Sequence, residues 1–502
     1  MAPPPALAAF GCVLFLLAWL AMAKDRWSCL PLGRAVSVVA IGALFVSSSL
    51  LSPSEAFAAI NVPTLALLLG CMLISGVMEK HGAYSMLQDA LASGASSPAL
   101  LLLRISLVAG ACSAIITNDA TCVVLTPLVL RACLARRLHP APFLVALATS
   151  SNIGSALSPI GNPQNMLVAL LGNLFFVDFL RGIAAAALLG LAINVGVIAL
   201  VYRAEIFGAG AGQYVASPEQ RRAVGLAEAD IAADGSAIAS QGRAEEAHEE
   251  GDEVSLAAAQ DSVVAIVEPL QTGPEQGISS EAAGVAPPSP PAPSGSSTPI
   301  SPLSLLRRRA IFLVLAALPV VLVAADSWIG LSWVVLLIAS LLLVLDGDAP
   351  DAVLARVDAP LLLFFSGLFV VVAGLNATAL PGAAWAAAVS AGIGLRSVGG
   401  AILFTLVVLA GSNTVSNVPL VLLLAPSVAA LPVDVKLTWL MLAFVSTVAG
   451  NLTLMGSVAN LIVAEKAKAA FELTFVEYAK IGVLSTLLVC VVGVPLVWAC
   501  AK

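Results

Sequence analysis

Charge is scarce in this 502-residue chain: Asp, Glu, Lys and Arg together make up 11% of it, against about a quarter in ordinary soluble domains. With 60% hydrophobic residues and a mean hydropathy of +1.01, that shortage excludes a soluble globular protein. Histidine is scarcer still. His81, His139 and His248, the only three, each sit beside turn-forming or charged residues, which leaves a His-ligated metal centre or haem without ligands. The eight cysteines contain no CxxC and lie mostly within apolar runs, so neither a disulfide framework nor a zinc site is implied. An intramembrane enzyme needs a nucleophile with a base, or a carboxylate pair. At membrane depth the chain offers one carboxylate and no histidine, so the reading is not an enzyme and needs no resident cofactor or metal.

What charge there is lies unevenly. Residues 204–304 hold 15 of the 30 acidic residues and only Arg221, Arg222 and Arg243 on the basic side, a net −12 that leaves +5 on the rest of the chain. This stretch also carries the low-complexity run APPSPPAPSGSSTP at 286–299. It reads as a disordered acidic, Pro/Ser-rich linker between a first membrane repeat at 1–203 and a second at 305–502.

A bilayer core needs about 20 apolar residues per helix, and the first half supplies runs near 6–23, 33–51, 61–79, 100–134, 142–173 and 178–202. The run 100–134 is too long for one crossing and should fold back at Thr117-Asn118-Asp119. The run 142–173 is interrupted by Ser158-Pro159-Ile160-Gly161-Asn162-Pro163-Gln164-Asn165, which a continuous lipid-facing helix does not accept. It should be a broken helix. The second half repeats the plan: 310–325, 329–346, 360–378, a long run 398–430 with Ser412-Asn413-Thr414 at its middle, a broken run 438–465 around Gly450 and Gly456, and 478–500. An offset of 295 places the first polar triplet on the second, Ser151 on Ser446, Gly161 on Gly456 and Asn165 on Asn460. Ala21-Met22-Ala23 resembles a signal-peptidase site, but no basic n-region precedes it, and the first run is kept as a membrane helix.

Each half makes five crossings plus a re-entrant hairpin, so the second copy enters from the opposite side. The expected fold is all-α and polytopic: two inverted-topology repeats, about ten spanning helices, two re-entrant hairpins, and discontinuous helices at the centre. One side collects 19 Lys and Arg, the other only Arg181, Arg396, Lys436 and Lys502. The positive-inside rule then puts the linker in the cytoplasm and both termini outside.

Polar groups at membrane depth are costly and mark function by default. Here they gather at two hairpin tips and two breaks, and the candidates for solute binding are Thr117, Asn118, Asn152, Asn162, Asn165, Ser412, Asn413, Thr414, Asn451 and Asn460, with breaks at Pro159, Gly161, Pro163, Gly450 and Gly456. Broken helices turn free N–H and C=O groups toward a cavity, where inverted halves can surround one small solute. The plainer role for isolated Ser and Asn is to join helices. Asp119 is the one carboxylate placed at that depth, with no Lys or Arg to pair it; such a group exchanges protons or binds a cation. It is the candidate coupling residue. Its plainer role is an N-cap for an arm beginning at Ala120.

The strings TNDATCVVLTPLVL (117–130), LATSSNIGSALSPIGNPQNMLVA (147–169), SNTVSNVPLVLLL (412–424) and FVSTVAGNLTLMGSVANLIVAEKA (444–467) resemble the ion-transporter superfamily. Within it they are most similar to the branch of arsenite permeases and silicon-efflux transporters, related to citrate and dicarboxylate permeases. The likeness covers nearly all of the chain except the linker. It implies an inverted repeat with re-entrant hairpins, and antiport of a small uncharged hydroxide, silicic or arsenous acid, against protons. It also maps Asn118 and Asn413 to tip asparagines that line the site in dicarboxylate-transporting relatives. The first tip departs from the Ser-Asn-Thr pattern, since Asp119 stands where a dianion would meet a carboxylate. Pro127 replaces an acidic residue of the plant silicon exporters.

The leading expectation is therefore a secondary active transporter in the plasma membrane, exporting a small neutral metalloid hydroxide against protons. A sodium/proton antiporter is the alternative; a dicarboxylate symporter and a passive channel rank lower. The partners expected are a small inorganic solute and the lipid bilayer, without nucleic acid, and the resemblance allows a homodimer.

Overall fold

The apolar runs become helices in the computed structural model, which describes residues 3–23, 33–82, 97–208, 213–224, 302–431 and 435–501. Among the described residues there are 21 α-helices and one 3-10 turn. The first half comprises α1 Pro5–Ala23, α2 Arg34–Ser47, α3 Pro53–Ala59, α4 Val62–Lys80, α5 Pro98–Ile115, α6 Asn118–Leu134, α7 Ala141–Ser155, α8 Pro163–Leu171 and α9 Phe176–Val201. Two short helices, α10 Arg203–Phe207 and α11 Pro218–Ala223, follow. The second half comprises α12 Pro302–Ile329, α13 Leu331–Asp346, α14 Pro350–Leu354, α15 Ala359–Ala377, α16 Leu380–Ser390, α17 Val398–Val415, α18 Asn417–Ala429, α19 Val435–Ala449, the 3-10 turn Leu454–Gly456, α20 Val458–Ala467 and α21 Phe475–Cys500.

Eight of the described helices are long and apolar enough to cross a bilayer, and five shorter apolar helices accompany them. The protein is a multi-pass integral membrane protein. Leu107, Leu188, Leu313, Val320, Val344, Leu406 and Val491 are all exposed, as suits a surface that faces lipid rather than water. The burial pattern locates the centre. Every residue of α7 is buried, and α19 is buried throughout from Leu437 to Ala449. A helix enclosed on all sides lies inside the bundle, so the two broken helices form its core.

The helix packing has the exchange symmetry of a duplicated, inverted unit. α4 packs on α13 and its counterpart α15 packs on α2; α5 packs on α7 as α17 packs on α19; α9 packs on α21. The second arm of each hairpin lies against the outgoing part of the other half's broken helix, α6 on α20 and α18 on α8. A polar cluster at one end has no duplicate among the described residues. The Asp346 carboxylate accepts from Lys80 Nζ at 2.6 Å, His81 Nε2 at 2.7 Å and Arg356 at 2.9 Å, tying the end of α4 to the last residue of α13 and to Arg356 beyond α14.

Several expectations need adjustment. The first hairpin turns at Ile116-Thr117, and Thr117 is the N-cap, its hydroxyl accepting from Ala120 N. Asp119 lies in the first turn of α6 and is not the cap. In the second hairpin α17 runs on through Ser412, Asn413 and Thr414 to Val415, and the chain reverses at Ser416, which has a φ of +75°. Pro419 explains the shift: it lacks an N–H and is tolerated in a first turn, so the second arm starts two residues before it.

The described residues up to 224 and from 306 to 501 belong to one compact membrane-embedded unit. Ordered structure thus extends past 203. Tyr214 N donates to Arg137 O at 2.8 Å, and the His139 ring stands edge-on to both Tyr214 and Phe471. Residues 225–301, the bulk of the stretch read as a linker, lie outside the described residues.

Candidate functional site

Why the core helices break is plain from their residues. α7 ends at Ser155, and α8 can restart only with Pro163 at its N1 position, where the missing N–H costs nothing. Asn162 caps the restart, its Oδ1 accepting from Asn165 N at 2.9 Å. Gly161 is demanded by proximity: a Cβ there would lie 2.1 Å from Ser155 O. Ser457 holds the matching N-cap position before α20.

Asn165 and Asn460, one turn into the outgoing helices, bind the loops of their own breaks in the same way. Asn165 Nδ2 donates to the Ser155 and Ser158 carbonyls at 3.0 and 3.3 Å. Asn460 Nδ2 donates to the Gly450 and Thr453 carbonyls at 2.7 and 3.1 Å. All three positions differ by the same 295 residues. The remaining amide oxygens reach across the repeat boundary: Asn165 Oδ1 accepts from Thr447 Oγ1 at 3.0 Å, and Asn460 Oδ1 accepts from Asn152 Nδ2 at 2.9 Å. Thr447 is the counterpart of Asn152 at that offset, so the two bonds are one bond made twice.

Asn152 is the hub. Its Nδ2 also donates to Asn451 Oδ1 at 2.8 Å, and its Oδ1 accepts from Asn118 Nδ2 at 2.9 Å and Ser457 Oγ at 3.0 Å. This joins the first hairpin and both breaks in one buried neutral network. Asn162 Nδ2 donates to Ser155 Oγ at 2.8 Å and to Thr447 Oγ1 at 3.2 Å, extending the network to the other side. The first hairpin is further fixed by Asn118 N donating to Gly161 O at 2.9 Å. Asn413 is held to the second break, donating to Ala449 O at 2.9 Å and accepting from Thr453 Oγ1 at 3.0 Å.

The structure therefore brings together Asn118, Asn152, Asn162, Asn165, Asn451 and Asn460, with Asn413 joined to the second break. Thr117 serves its own helix end as a cap. Thr414 lies apart: it is exposed, its hydroxyl donates to Ala410 O, and its carbonyl accepts from the Trp19 indole. Ser412 is buried, and its hydroxyl, with those of Ser158 and Thr121 and the Asn417 Oδ1, has no hydrogen-bond partner among the described residues. Buried polar atoms of that kind are rare in folded chains.

The Asp119 carboxylate is half-buried next to Asn118, whose Oδ1 accepts from Asp119 N at 3.0 Å. Among the described residues no cation or hydrogen-bond donor meets that carboxylate. A second carboxylate, Asp326, is also buried, but it sits near a helix end and accepts from Phe176 N at 2.7 Å.

Two groups of residues were missed in the sequence. Thr447 was available from the 295 offset, as the partner position of Asn152. Asn194, fully buried in α9, donates to Thr149 Oγ1 at 2.8 Å and accepts from Ser485 Oγ at 2.7 Å. Its signal was a single amide inside a 26-residue apolar helix.

Comparison with known proteins gives the same class. A family model described as "Citrate transporter", CitMHS, matches residues 13–449. The silicon efflux transporter LSI3 of Oryza sativa subsp. japonica is 34% identical over 499 residues, covering 97% of both chains. The putative transporter arsB of Dictyostelium discoideum is 32% identical, covering 97% of this chain and 92% of that one. Among solved structures, the YdaH transporter of Alcanivorax borkumensis aligns over 99% of this chain and 98% of its own at 15% identity, with a TM-score of 0.48. With a family match across both membrane halves and relatives spanning nearly its whole length, the chain belongs to the CitMHS family of membrane transporters.

Proposed function

We propose that this transporter exports a small neutral metalloid hydroxide, such as silicic or arsenous acid, in exchange for protons. The observation that carries the reading is the neutral amide and hydroxyl network around Asn152, built from both breaks and the first hairpin. A solute such as Si(OH)4 or As(OH)3 offers several O–H donors and oxygen acceptors in a small volume. Carboxamides present both donors and acceptors, so such a solute can replace the bonds that join the two halves with bonds of the same kind. The unpartnered Ser158, Ser412 and Thr121 hydroxyls and Asn417 Oδ1 supply further capacity.

A citrate-type anion fits this lining less well. The network contains no Lys or Arg, and its neighbour Asp119 repels an anion. A relative named a silicon efflux transporter, matched over 97% of both chains, supports the choice of solute. Asp119 is the proton carrier in this reading: it stands beside Asn118 and can release its proton on one side and reload on the other as the hairpin moves. The coupling ion is thus the proton, with no resident cofactor. The protein works in the plasma membrane, with 225–301 as a cytoplasmic tether and both termini outside, by the charge asymmetry of the loops.

The test is transport by the purified protein in liposomes. Acid-inside vesicles should accumulate germanic or arsenous acid above the external concentration as protons leave, with or without sodium. Sodium-driven proton flux indifferent to both acids would replace this reading with a sodium/proton antiporter. Equilibration without accumulation would indicate a passive channel.

A further inference from the structure

Asn451 has no counterpart in the first half: at the 295 offset its partner position is Ala156. The added amide donates to Thr149 O at 3.0 Å and accepts from the hub Asn152 at 2.8 Å. Its placement is controlled from outside the broken helices, by α9 and α21. Asn194 on α9 donates to both hydroxyls of the neighbouring pair on α7, Thr149 at 2.8 Å and Ser150 at 3.2 Å. Its own oxygen is occupied by Ser485 of α21 at 2.7 Å. Ser485 lies three residues from Gly482, on the same face of α21, and a Cβ at Gly482 would lie 2.3 Å from Asn451 O. The α9–α21 pair therefore holds Asn451 from two directions, through the Thr149 segment and through direct backbone contact.

Asn194 is also costly where it stands. It is fully buried, and α9 is otherwise apolar around it. An amide serving only as helix glue needs one partner across one interface. Asn194 uses three hydroxyls on two other helices, one of them on the residue whose carbonyl receives Asn451.

We propose that Asn194 is a positioning residue for the solute site: with Ser485 it fixes the Thr149 segment, and thereby orients Asn451 and the hub Asn152 toward solute. This rests on the solute site proposed above. Asn194 touches no solute, so its removal should act on affinity while the transport cycle continues.

The full-length protein in liposomes tests this, with germanic acid as the probe. Asn194→Leu should raise the half-saturation concentration about tenfold while the maximal rate stays within about twofold. Ser485→Ala should raise it by roughly threefold, and Ser485→Thr, which restores the hydroxyl, should return it to the wild-type value. Val489→Ala, one turn further along α21 and buried, should lower thermal stability without moving half-saturation. If Asn194→Leu shifts only stability, or Val489→Ala moves half-saturation equally, Asn194 is structural and the proposal fails. If the wild-type protein does not move germanic acid, the functional reading fails instead. The positioning claim is then decided by a thermal-stability cycle of Asn194→Leu with Asn451→Ala: non-additive losses support it and additive losses overturn it.

Discussion

The two hairpins occupy equivalent places and do different jobs. The first reverses before its polar residues, so Asn118 and Asp119 open the second arm and Asn118 reaches the hub Asn152. The second reverses after them, so Ser412 and Asn413 close the first arm, and Asn413 binds Leu409 O of its own helix and the second break. The two breaks, by contrast, keep the same bonds: Asn165 and Asn460 each clasp two carbonyls of their own loop and accept one donor from the other half. The contrast teaches that the duplicated frame is held by the breaks, whereas the hairpins have been free to specialise. Of the two hairpins, only the first carries a carboxylate, Asp119, among the described residues.

That comparison can be broken most sharply at the glycines. At Gly161 a new Cβ meets three backbone atoms of Ser155 at 2.1 to 2.7 Å, while at Gly456 it meets the Asn413 side-chain oxygen at 2.7 Å and backbone, Gly450 O, only at 2.9 Å. Gly161→Ala should cost about 3 kcal/mol or more and Gly456→Ala about 1 kcal/mol, since overpacking against fixed backbone cannot relax. Thermal unfolding of the detergent-solubilised protein reads both. Equal losses would mean the two breaks are packed alike.

The hub and its counterpart form the next pair. Asn152→Ala strips the amide that, among the described residues, joins the hairpin to both breaks, and should lower solute affinity about 100-fold, whereas Thr447→Ala should lower it about tenfold. Thr447 is the smaller loss because Asn162 Nδ2 keeps Ser155 Oγ as an acceptor. Half-saturation in the germanic acid assay measures the difference, and a reversed order would move the site's centre to the other half.

The smallest effect concerns the stretch between the repeats. Deleting 226–300 should leave transport within about twofold of wild type, as expected of a solvated acidic tether. Tyr214→Ala should destabilise the protein by about 1 kcal/mol through lost aromatic packing on His139. A silent Tyr214→Ala would show that the docked segment at 213–224 contributes nothing.

Much of this was legible in the chain itself. Apolar run lengths located the helices, and Pro159, Gly161 and Pro163 marked the first break because no lipid-facing helix accepts them. The 295 offset aligned polar residues that the structure joins by matching bonds, and followed to position 447 it also finds Thr447. What stayed hidden depended on three dimensions. The Ser416 reversal needs the competition between a continuing α17 and the start imposed by Pro419. The role of Asn194 needs three helices brought together, since Thr149, Ser485 and Asn194 are distant in sequence. The docking of Tyr214 was hidden by the average over 204–304, which is strongly acidic although 213–224 itself carries one glutamate against two arginines.

Asp119 carries the central claim, and the direct measurement is germanic acid uptake into acid-inside liposomes by wild-type protein and Asp119→Asn at matched protein content. Proton-coupled exchange predicts accumulation by the wild type and, for the amide, only slow equilibration with no dependence on the imposed gradient. Undiminished accumulation by Asp119→Asn, with the same pH dependence, would contradict it.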